Sequence, residues 1–585
     1  MNYQFNNNTT KAFKKKITCI LLTATAYAPI GAYAALEEII VTANKRAENA
    51  NDIGLSIAAV SGEKLAEQKL TSLEEITSVV PGLVFTTSQQ NTPILTLRGV
   101  GFNESSLGVY PATSIYVDEV PLPFPVMAAH SAYDLERVEV LKGPQGVLFG
   151  QNSTGGAINF IAAKPTEELS YGADLSYGRF DKIETNAFIS GALSEKVGAR
   201  LAVQNVQADE WQKSVTRDDE NGKEDYTAGR LLLNFQPTEA SEVSVNINGW
   251  RDKSDPQAFQ FVAASPKRFD LAPDVAALQV AAPYAEENPR SADWSPITDP
   301  SGDREFFQGS VRGDFDLTDS LTLTALASHS EFEQDQRQDG DGSHLVTGDF
   351  VFNKGEIESS IAEIRLASDD GSALRWLAGV NYEDSSTFEN QLYQHTDNTN
   401  YRPSALYISR SGLELAQSIE SYAVFGNIDY QITQDLTFKL GGRYTDTTID
   451  ANGCTIAAQN APGAIDASGG SGANFARLFN ILGARSGRAF DPIGLGDCYT
   501  LDEDAAPADP SQVVPGVVYG VPGIEYVNSL GEDNVSWRAG VDYRWNEDTL
   551  IYANISQGYK AGSYPTLAAS THNQFKPVTQ ESVLA

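Results

Sequence analysis

Long segments that alternate apolar and polar side chains dominate the chain from about Leu169 onward. Side chains of a β-strand point alternately to its two faces, so this period of two predicts strands with one apolar face. An aromatic residue near the end of each apolar face suits a membrane interface. The clearest apolar faces are Leu374, Trp376, Ala378, Val380 and Tyr382; Leu436, Phe438, Leu440, Gly442 and Tyr444; and Val535, Trp537, Ala539, Val541 and Tyr543.

The connections between these strands are very unequal in length. Gln434-Asp435 and Asn546-Glu547-Asp548 are tight turns, whereas 253–303 and 449–531 are long loops. Short turns on one side and long extracellular loops on the other are typical of outer-membrane barrels. The sequence therefore predicts a mainly β protein with a transmembrane antiparallel β-barrel over residues 166–585. A soluble β-sandwich or propeller, which also alternates, is the alternative.

The first 34 residues have the order of a cleaved secretory signal peptide. Lys11 and three further lysines, Lys14 to Lys16, precede the uncharged run Ile17 to Ala28 and the small-residue triplet Ala32-Tyr33-Ala34. A spanning helix is the alternative, but threonines, a proline and a glycine weaken the run. The whole sequence has a net charge of −35, which argues against nucleic acid as a partner.

A smaller region, residues 51–165, has a mixed pattern. Thr71-Ser72-Leu73-Glu74 has the form of a capping box, which starts a helix that ends before Pro81-Gly82. Short strands follow at Leu83 to Phe85 and at Ile94 to Arg98. The sequence thus predicts an N-terminal α+β domain ahead of the barrel.

Ordered motifs in both regions carry a resemblance to a known family. They are Leu97-Arg98-Gly99, Ile115 to Pro121, Leu135 to Gly146, Leu148-Phe149-Gly150, Gly155 to Asn159, Tyr552 to Gly562 and Phe575-Lys576-Pro577. The chain resembles TonB-dependent outer-membrane receptors, in which a plug domain fills a β-barrel. Two positions depart from that family's pattern. Glu119 stands where a turn glycine is usual, and Gln151 stands where arginine is usual, which puts a plug–barrel ion pair in doubt.

The resemblance implies roles for several groups of residues. Residues 35–50 would hold a linker and the TonB box, the segment that meets the inner-membrane protein TonB, and 51–165 would form the plug. The box would comprise Glu37, Glu38, Ile39, Ile40, Val41, Thr42 and Ala43. The structural motif of the plug would comprise Arg98, Gly99, Gly143, Pro144, Gly146, Gly155 and Gly156. Candidates for ligand contact are Phe102, Asn103, Tyr110, Phe124 and Met127, although packing within the plug explains them equally well.

The box lies outside any periodic core pattern, so we expect it to be poorly ordered when TonB is not bound. The implied function is TonB-dependent active import of a scarce ligand across the bacterial outer membrane, with a ferric siderophore expected first. Oligosaccharide, cobalamin and haem are alternatives within the family. A passive porin and a barrel-embedded hydrolase are alternatives outside it.

The expected partners are TonB, outer-membrane lipid and lipopolysaccharide, and an iron chelate, for a monomeric receptor. No catalytic residue, cofactor or metal site is predicted, so we expect no enzyme activity. Asp335, Asp339 and Asp341 resemble part of a calcium loop, but Arg337 and Val346 stand where oxygen ligands should be. A solvated acidic loop is expected there.

Two features concern the far half of the chain. Cys454 and Cys498 share one long Gly/Ala-rich segment of an exported chain, which favours a disulfide over two free thiols. About 13 strand candidates lie between Leu169 and Lys560, with the start of another near Phe575, whereas plugged transporters have about 22 strands. We therefore expect an unclosed sheet belonging to a longer chain. A closed barrel of about 14 strands is the alternative, but its lumen would be too narrow for a plug.

Overall fold

The alternating segments form one antiparallel sheet of 14 strands in the computed structural model. The predicted signal peptide and the box residues Glu37 and Glu38 lie outside the described residues. The structure describes residues 39–88, 90–104, 106–266, 273–284, 288–368, 371–398, 408–458, 471–502, 520–567 and 570–585.

The N-terminal region folds as a small α+β domain, as predicted. Its main sheet has five strands in the order β3-β8-β9-β6-β7, while β1 pairs with β2 and β4 pairs with β5. The strands are β1 (Ile40–Val41), β2 (Glu48–Asn49), β3 (Ile57–Ser61), β4 (Leu83–Thr87), β5 (Pro93–Leu97), β6 (Thr113–Val117), β7 (Val120–Leu122), β8 (Leu135–Lys142) and β9 (Gly156–Ala162). The helices are α1 (Gly62–Glu67) and α2 (Leu73–Thr77).

Helix α2 starts one residue later than the predicted capping box. Ser72 is the N-cap, and its hydroxyl accepts a hydrogen bond from the Glu75 amide at 3.2 Å. The Glu75 carboxylate in turn accepts from the Ser72 amide at 3.1 Å. The prediction of Thr71 and Glu74 was therefore wrong by one position, because two adjacent acids offered two registers.

The remaining elements follow in chain order. They are β10 (Ser170–Tyr177), β11 (Ile183–Ser194), β12 (Val197–Ala208), β13 (Gln212–Ser214), β14 (Glu220–Asn221), β15 (Glu224–Thr238), β16 (Ser241–Asp252), α3 (Pro273–Val280), β17 (Ser291–Ala292), β18 (Ser301–Thr318), β19 (Leu321–Gln338), β20 (Asp349–Ser368), β21 (Leu374–Gln394), β22 (Arg410–Gln431), β23 (Leu436–Ile456), α4 (Ser471–Arg485), β24 (Tyr526–Asn546), β25 (Thr549–Lys560) and β26 (Glu581–Leu584). Strands β13, β14 and β17 form a separate small sheet, and the others form the large one.

Neighbours in the large sheet are neighbours in sequence, so its connections alternate between two ends. Short turns at 195–196, 239–240, 319–320, 432–435 and 547–548 share one end, which we call the short-turn end. The long connections share the other, the long-loop end. The loop between β23 and β24 is 457–525 rather than the predicted 449–531, because the in–out alternation extends both strands. Near Phe575 the chain forms a 3-10 helix, His572–Phe575, and the last strand lies further on.

The large sheet is open. Among the described residues no ladder joins β10 to β26, so each of these strands is an edge of the sheet. This agrees with the expectation of an unclosed sheet.

The side chains of the large sheet are arranged inside out compared with a soluble sandwich. On β23 the apolar Phe438 is 44% exposed on the outer face, whereas the charged Lys439 is 9% exposed on the inner face. Leu440 and Tyr444 repeat the outer pattern, and Arg443 repeats the inner one. Apolar side chains that point outward from a sheet with a polar inner face are the mark of a transmembrane barrel. The alternative of a soluble sandwich is excluded, because its apolar faces would be buried.

Among the helices that the structure describes, none has the length and apolar character needed to cross a bilayer.

The N-terminal domain lies against the inner face of the large sheet. Arg200 of β12 donates to Asp134 at 2.8 Å, and the Trp250 indole of β16 donates to the Met127 carbonyl at 3.3 Å. On the far side, the Asn554 amide of β25 donates to a backbone carbonyl of the domain at 3.2 Å. The domain therefore plugs the concave face of the sheet from β12 to β25, and we call it the plug.

We expect Cys454 and Cys498 to be oxidised to each other. The structure joins them in a disulfide with a Cα–Cα distance of 5.6 Å, which links the end of β23 to its following loop. Such a cross-link restricts the unfolded loop and stabilises by about 2–4 kcal/mol. Mass spectrometry of the exported protein without reductant should give one linked peptide pair. Recovery of both cysteines as free thiols would contradict the assignment.

Candidate functional site

The N-terminal segment folds back on the plug as a short hairpin, residues 40–49, which we call the strap. Ile40 pairs with Asn49 and Val41 with Glu48. Val41 and Ala43 are fully buried, whereas Ile40 is 44% exposed. The expectation that this segment is poorly ordered is wrong for Ile40 to Ala43, because contacts from distant parts of the plug hold it.

Glu139 of β8 makes the main polar contact with the strap. Its carboxylate oxygens accept from the Thr42 amide at 2.9 and 3.0 Å and from the Thr42 hydroxyl at 3.1 and 3.3 Å. Arg137 donates to the same carboxylate at 2.8 Å. Burial raises the pKa of Glu139 above its ordinary value, although Arg137 and Thr42 oppose the shift. A single buried carboxylate thus fixes the strap to the plug sheet.

Next along the strap, Lys45 starts a chain of buried charges that crosses from plug to barrel. Its ammonium donates to both carboxylate oxygens of Glu363 on β20, at 2.6 and 2.7 Å. Arg365, two residues further along β20, lies 2.9 Å from Glu363 and 2.6 Å from Glu119 of the plug. Arg312 of β18 lies 2.9 Å from Glu119 and closes the chain. We call these five residues the ionic chain.

The backbone at Glu119 explains how a non-glycine residue occupies the turn between β6 and β7. Asp118 and Glu119 have φ values of 51° and 67°, the left-handed conformation that a tight hairpin requires and that glycine adopts most easily. For a residue with a Cβ this conformation costs roughly 1–2 kcal/mol of conformational free energy. The two arginines that meet the Glu119 carboxylate offset this strain, so the departure from the family pattern places a charge at the plug–barrel contact.

The electrostatics of Glu119 favour its ionised form. Burial alone would raise the pKa of this carboxyl, but the charges of two arginines and Lys45 outweigh burial and hold the pKa at about 2. Burial also lowers the pKa of Lys45, against the attraction of Glu363. Glu119 and Lys45 therefore depend on their oppositely charged neighbours in the ionic chain to stay ionised.

Gln151, the second departure from the family pattern, makes hydrogen bonds instead of an ion pair. Its side-chain oxygen accepts from the Thr447 hydroxyl and from the Tyr559 hydroxyl of the barrel, both at 3.3 Å. A barrel arginine, Arg443, packs over the preceding Gly150, where an added Cβ would lie 3.1 Å from the guanidinium carbon. Here the barrel, not residue 151, supplies the arginine at this contact.

The predicted structural motif of the plug lies at tight backbone positions. A Cβ at Gly146 would lie 2.6 Å from the Ser536 hydroxyl of β24, so this glycine allows plug and barrel to touch. Gly156 has a φ of 151°, and its Cβ would lie 2.1 Å from the Leu141 carbonyl. The Gly143 amide donates to the Gly155 carbonyl at 2.9 Å, and Pro144 lies against Gly558 of β25. Arg98 and Gly99 form a left-handed turn after β5.

The candidates for ligand contact separate into two groups. Tyr110, Phe124 and Met127 are almost fully buried in the plug core, where Tyr110 stacks on Phe124 at 5.1 Å and donates to Glu383 at 2.8 Å. The prediction that these three contact ligand is wrong for this conformation, because no part of them is open to solvent. Phe102 and Asn103 are exposed, with the Lys560 ammonium 4.1 Å above the Phe102 ring. They remain a prediction.

A row of amides without partners lines the inner face toward the long-loop end. Gln334, Gln336 and Gln338 alternate along β19, and Asn353 of β20 stands opposite Gln336. In the part of the chain that the structure describes, no hydrogen bond reaches either polar atom of these four buried side chains. Buried polar groups normally have partners, so this amide row needs water or a bound polar molecule.

A cavity of about 410 Å³ opens at the other end, between the plug and strands β15 to β19. The strap borders it through Thr42 and Lys45, and the ionic chain borders it through Glu119 and Arg312. Thr322 of β19 lies beside the short turn 319–320, which places the cavity at the short-turn end. Strap, ionic chain and cavity therefore form one site.

The five residues of the ionic chain were not predicted as functional from the sequence. Their partners lie far apart in sequence, so no local pattern marks them. The available signal was the alternation of side chains along a strand, which places Glu363 and Arg365 together on the polar face of β20.

The acidic loop after β19 also differs from expectation. Asp335 is exposed, as predicted, but Asp339 and Asp349 are buried. The prediction of a solvated cluster is wrong for Asp339, because the long loop 253–300 covers it through the Ser295 amide.

Two family models match the chain. The TonB-dependent receptor plug domain matches residues 49–157, and the TonB dependent receptor-like β-barrel matches residues 233–583, more than half of the chain. The matched ranges correspond to the plug and to most of the large sheet.

Among curated proteins, a pesticin receptor of Yersinia pestis is 25% identical over 205 residues, 34% of this chain and 30% of that protein. The ferripyoverdine receptor of Pseudomonas aeruginosa is 24% identical over 271 residues, 45% of this chain and 28% of that protein. The matched part of the chain thus spans less than a third of these relatives.

Among solved structures, the ferric yersiniabactin uptake receptor of Yersinia pestis has a TM-score of 0.66 at 16% identity. The match covers 91% of this chain and 68% of that one. At such identity the likeness concerns the fold.

We expect Glu119→Gln to lower the free energy of unfolding by about 3 kcal/mol at pH 7, because it removes the negative charge shared by the buried Arg365 and the partly buried Arg312. Denaturant unfolding of the purified protein in detergent measures this. Glu358→Gln, an exposed position on β20, is the matched control and should change little. Equal destabilisation by both variants would contradict the role of Glu119.

The pH dependence gives a second measurement on the same pair of proteins. The folded pKa of Glu119 is depressed from 4.5 to about 2, so its carboxylate stabilises above pH 4.5 and this contribution is lost as pH falls through about 2. The difference between wild type and Glu119→Gln should therefore shrink across that window. A difference that stays constant down to pH 2 would count against the ion pairs.

Proposed function

Because this chain belongs to the TonB-dependent receptor family, we propose that it actively imports a ferric siderophore across the bacterial outer membrane, driven by TonB. The observation that carries the proposal is the site at the short-turn end, where an N-terminal strap is docked on the plug beside a cavity. The proposal has three parts: the TonB contact, the passage through the sheet and the class of ligand.

The strap supports the TonB contact. In the described residues β1 pairs with β2 alone. Val41 is fully buried in the docked strap, so the second edge of β1 would receive another strand once the strap is drawn from the plug. A partner that adds a strand to such an edge gains backbone hydrogen bonds, with side-chain pockets for specificity. TonB would pair with residues 37–43 and pull them from the periplasm. Glu37 and Glu38 are part of this proposed contact.

The ionic chain supports a coupling between that pull and the plug. Drawing the strap away removes the Lys45 charge from Glu363, which is also a partner of Arg365. Arg365 is in turn held by Glu119 on the plug hairpin. A pull on the strap would therefore weaken the plug's hold on β18 and β20 without touching the plug core.

The cavity supports a passage along strands β15 to β19. It already provides about 410 Å³ between plug and barrel, beside the hairpin that carries Glu119. Displacing this hairpin would extend the cavity toward the amide row and the long-loop end. Polar side chains in its lining, such as Asn246 and Ser310, suit a hydrophilic chelate, because they replace the water that the chelate loses.

The relatives support the class of ligand. Receptors named for pesticin, ferripyoverdine and ferric yersiniabactin are among the proteins that the chain resembles. Ligand would bind at the long-loop end, where Phe102 and Asn103 are exposed on the plug. Oligosaccharide, cobalamin and haem remain the alternatives to be tested, and the outer membrane with its lipopolysaccharide is the proposed surrounding.

We expect Ile40→Pro to abolish energised uptake while leaving ligand binding at the cell surface unchanged. Proline removes the amide donor at the centre of residues 37–43, so TonB cannot pair with it. Uptake of ⁵⁵Fe bound to phenolate, pyoverdine-type, catecholate and hydroxamate siderophores should be measured in cells that lack other receptors. Ile40→Val keeps the amide and serves as the control.

Wild-type uptake by Ile40→Pro would refute the TonB contact. Uptake that survives deletion of 37–43 would instead favour a passive channel. If no ferric siderophore is taken up while haem or cobalamin is, the receptor mechanism stands and the ligand class is wrong. Hydrolysis of lipid or peptide by the purified protein would favour a barrel-embedded enzyme.

A further inference from the structure

Three carboxylates come together at the long-loop end, on a surface that import does not require. Asp339 and Asp341 belong to the loop between β19 and β20, and Asp349 is the first residue of β20. One carboxylate oxygen from each lies within 4.8 Å of the other two. Two oxygens that coordinate the same Ca²⁺ at about 2.4 Å stand at most about 4.8 Å apart, so this spacing fits one ion.

Burial makes the group unusual for an acidic loop. Asp339 is 4% exposed and Asp349 is 1% exposed. Within the described residues none of the three carboxylates makes an ion pair with a lysine, arginine or histidine. Buried carboxylates without a cationic partner cost several kcal/mol each, so the fold must supply compensation in another form.

Hydrogen bonds provide only part of that compensation. The Asp339 carboxylate accepts from the amides of Ser295, Asp341 and Gly342, at 3.1, 3.0 and 2.5 Å. Both oxygens of Asp341 also accept, from the Ser343 amide at 2.7 Å and the Thr347 amide at 3.2 Å. One oxygen of Asp349, Oδ2, accepts from the Thr298 hydroxyl at 2.7 Å. The other, Oδ1, is buried and has no hydrogen-bond partner among the described residues. A buried carboxylate oxygen that receives no donor, in a residue whose carboxylate is grouped with two others, is a position for a cation.

A second unsatisfied group belongs to the residue next to Asp339 in the chain. Gln338 directly precedes Asp339, and in the strand register it is paired with Phe350, the residue after Asp349. Its side chain is 2% exposed, and neither its amide oxygen nor its amide nitrogen has a partner among the described residues. The register therefore brings an unpaired amide oxygen, also a ligand of hard cations, to the same end of the strand pair.

We propose that Asp339, Asp341 and Asp349 bind one Ca²⁺ ion, which fastens the β19–β20 loop to the long loop between β16 and β18. Calcium takes six to eight oxygen ligands in flexible geometry, so hydroxyl, amide and water oxygens complete a site with three carboxylates. Mg²⁺ fits less well, because it demands near-octahedral geometry and gives up water reluctantly. Ser295 and Thr298 belong to the loop 253–300 and donate hydrogen bonds to Asp339 and Asp349. A bound ion would therefore also hold this loop in place.

A calcium loop built from one continuous segment would need oxygen ligands where Arg337 and Val346 stand. The structure instead takes its third carboxylate from the start of β20. Asp335, which seemed part of the cluster, is an exposed residue 3.3 Å from Lys354 and takes no part in it.

Calcium titration of the purified protein, stripped with a chelator, tests the proposal. Terbium is a useful probe of such a site, because Trp294 next to Ser295 can sensitise its luminescence and Ca²⁺ should displace it. We expect one Ca²⁺ per chain and an affinity that falls by about 100-fold in Asp349→Asn, since affinity depends on ligand charge. Asp335→Asn is the matched control and should bind as wild type does.

Stability gives an independent readout. Calcium that binds only the folded protein raises the melting temperature as its concentration rises above the dissociation constant. This rise should occur in wild type and in Asp335→Asn, and should be lost in Asp349→Asn. Asp341→Asn, at a partly exposed position, serves as a second ligand variant in case Asp349→Asn fails to fold.

Three results would overturn the site. Wild-type protein that binds no Ca²⁺ at millimolar concentration would show that the carboxylates are satisfied by protons instead. Unchanged affinity in both Asp349→Asn and Asp341→Asn would place any bound calcium elsewhere. Displacement of terbium by Mg²⁺ as readily as by Ca²⁺ would remove the assignment to calcium. None of these results depends on TonB or on siderophore uptake.

Discussion

Buried charge between plug and sheet is the constraint on which the rest of this structure depends. A sheet whose apolar side chains face lipid must turn its polar side chains inward. Those inward residues include Arg365, Glu363 and Arg443, and each costs several kcal/mol if it is buried without a partner. The plug supplies partners through Glu119 and Lys45. If plug and sheet separate, water must replace these partners, or the buried charges stay uncompensated.

This mutual dependence limits how the plug can move. Breaking one ion pair of the ionic chain leaves a charge uncompensated unless water reaches it at the same moment. The cavity beside Glu119 and Arg312 places solvent-sized space next to those charges. Separation of the hairpin from β18 is therefore expected to cost less than separation at Arg443, which is fully packed over Gly150 of the plug. The ion pairs that fix the plug to the sheet are therefore also the contacts that we expect to break first.

The fold was largely predictable from the sequence because the alternation of side chains that defines its strands is a local pattern. Alternation over two residues identifies a strand wherever it occurs, and short turns between strands specify the neighbours. The long-loop bounds were wrong at 449 and 531, where polar residues above the membrane continue the same strands. The capping residue of α2 was wrong by one position, since Glu74 and Glu75 are chemically equal and only the backbone chooses between them.

The site was less predictable because its contacts are distant in sequence. Thr42 meets Glu139 and Lys45 meets Glu363, pairs that no spacing rule connects. The strap was expected to be free because its own residues show no core pattern, yet its buried positions are set by the surface that receives it. The sequence fitted Tyr110 and Phe124 equally well to ligand contact and to packing in the plug core. Their stacking on each other in the structure supports packing in the core. The sequence indicated which segments belong to the site, and only the tertiary contacts showed which of their residues are buried and which are exposed.

The inner face of β20 orders these features along a single line. Asn353 of the amide row lies nearest the long-loop end, then come Ile357, Ser359 and Ile361, and then Glu363 and Arg365. The Ser359 hydroxyl shares a hydrogen bond of 2.9 Å with the Ser385 hydroxyl, so the one polar group in the middle of this row is already paired. A polar solute that moved along this face would therefore meet few free hydrogen-bonding groups between its two polar ends. Under the proposed import, the ionic chain beyond Ile361 would hold the plug hairpin against this face until the strap is pulled. Its release would come before ligand passes, which would place the strap's contact with Lys45 ahead of translocation.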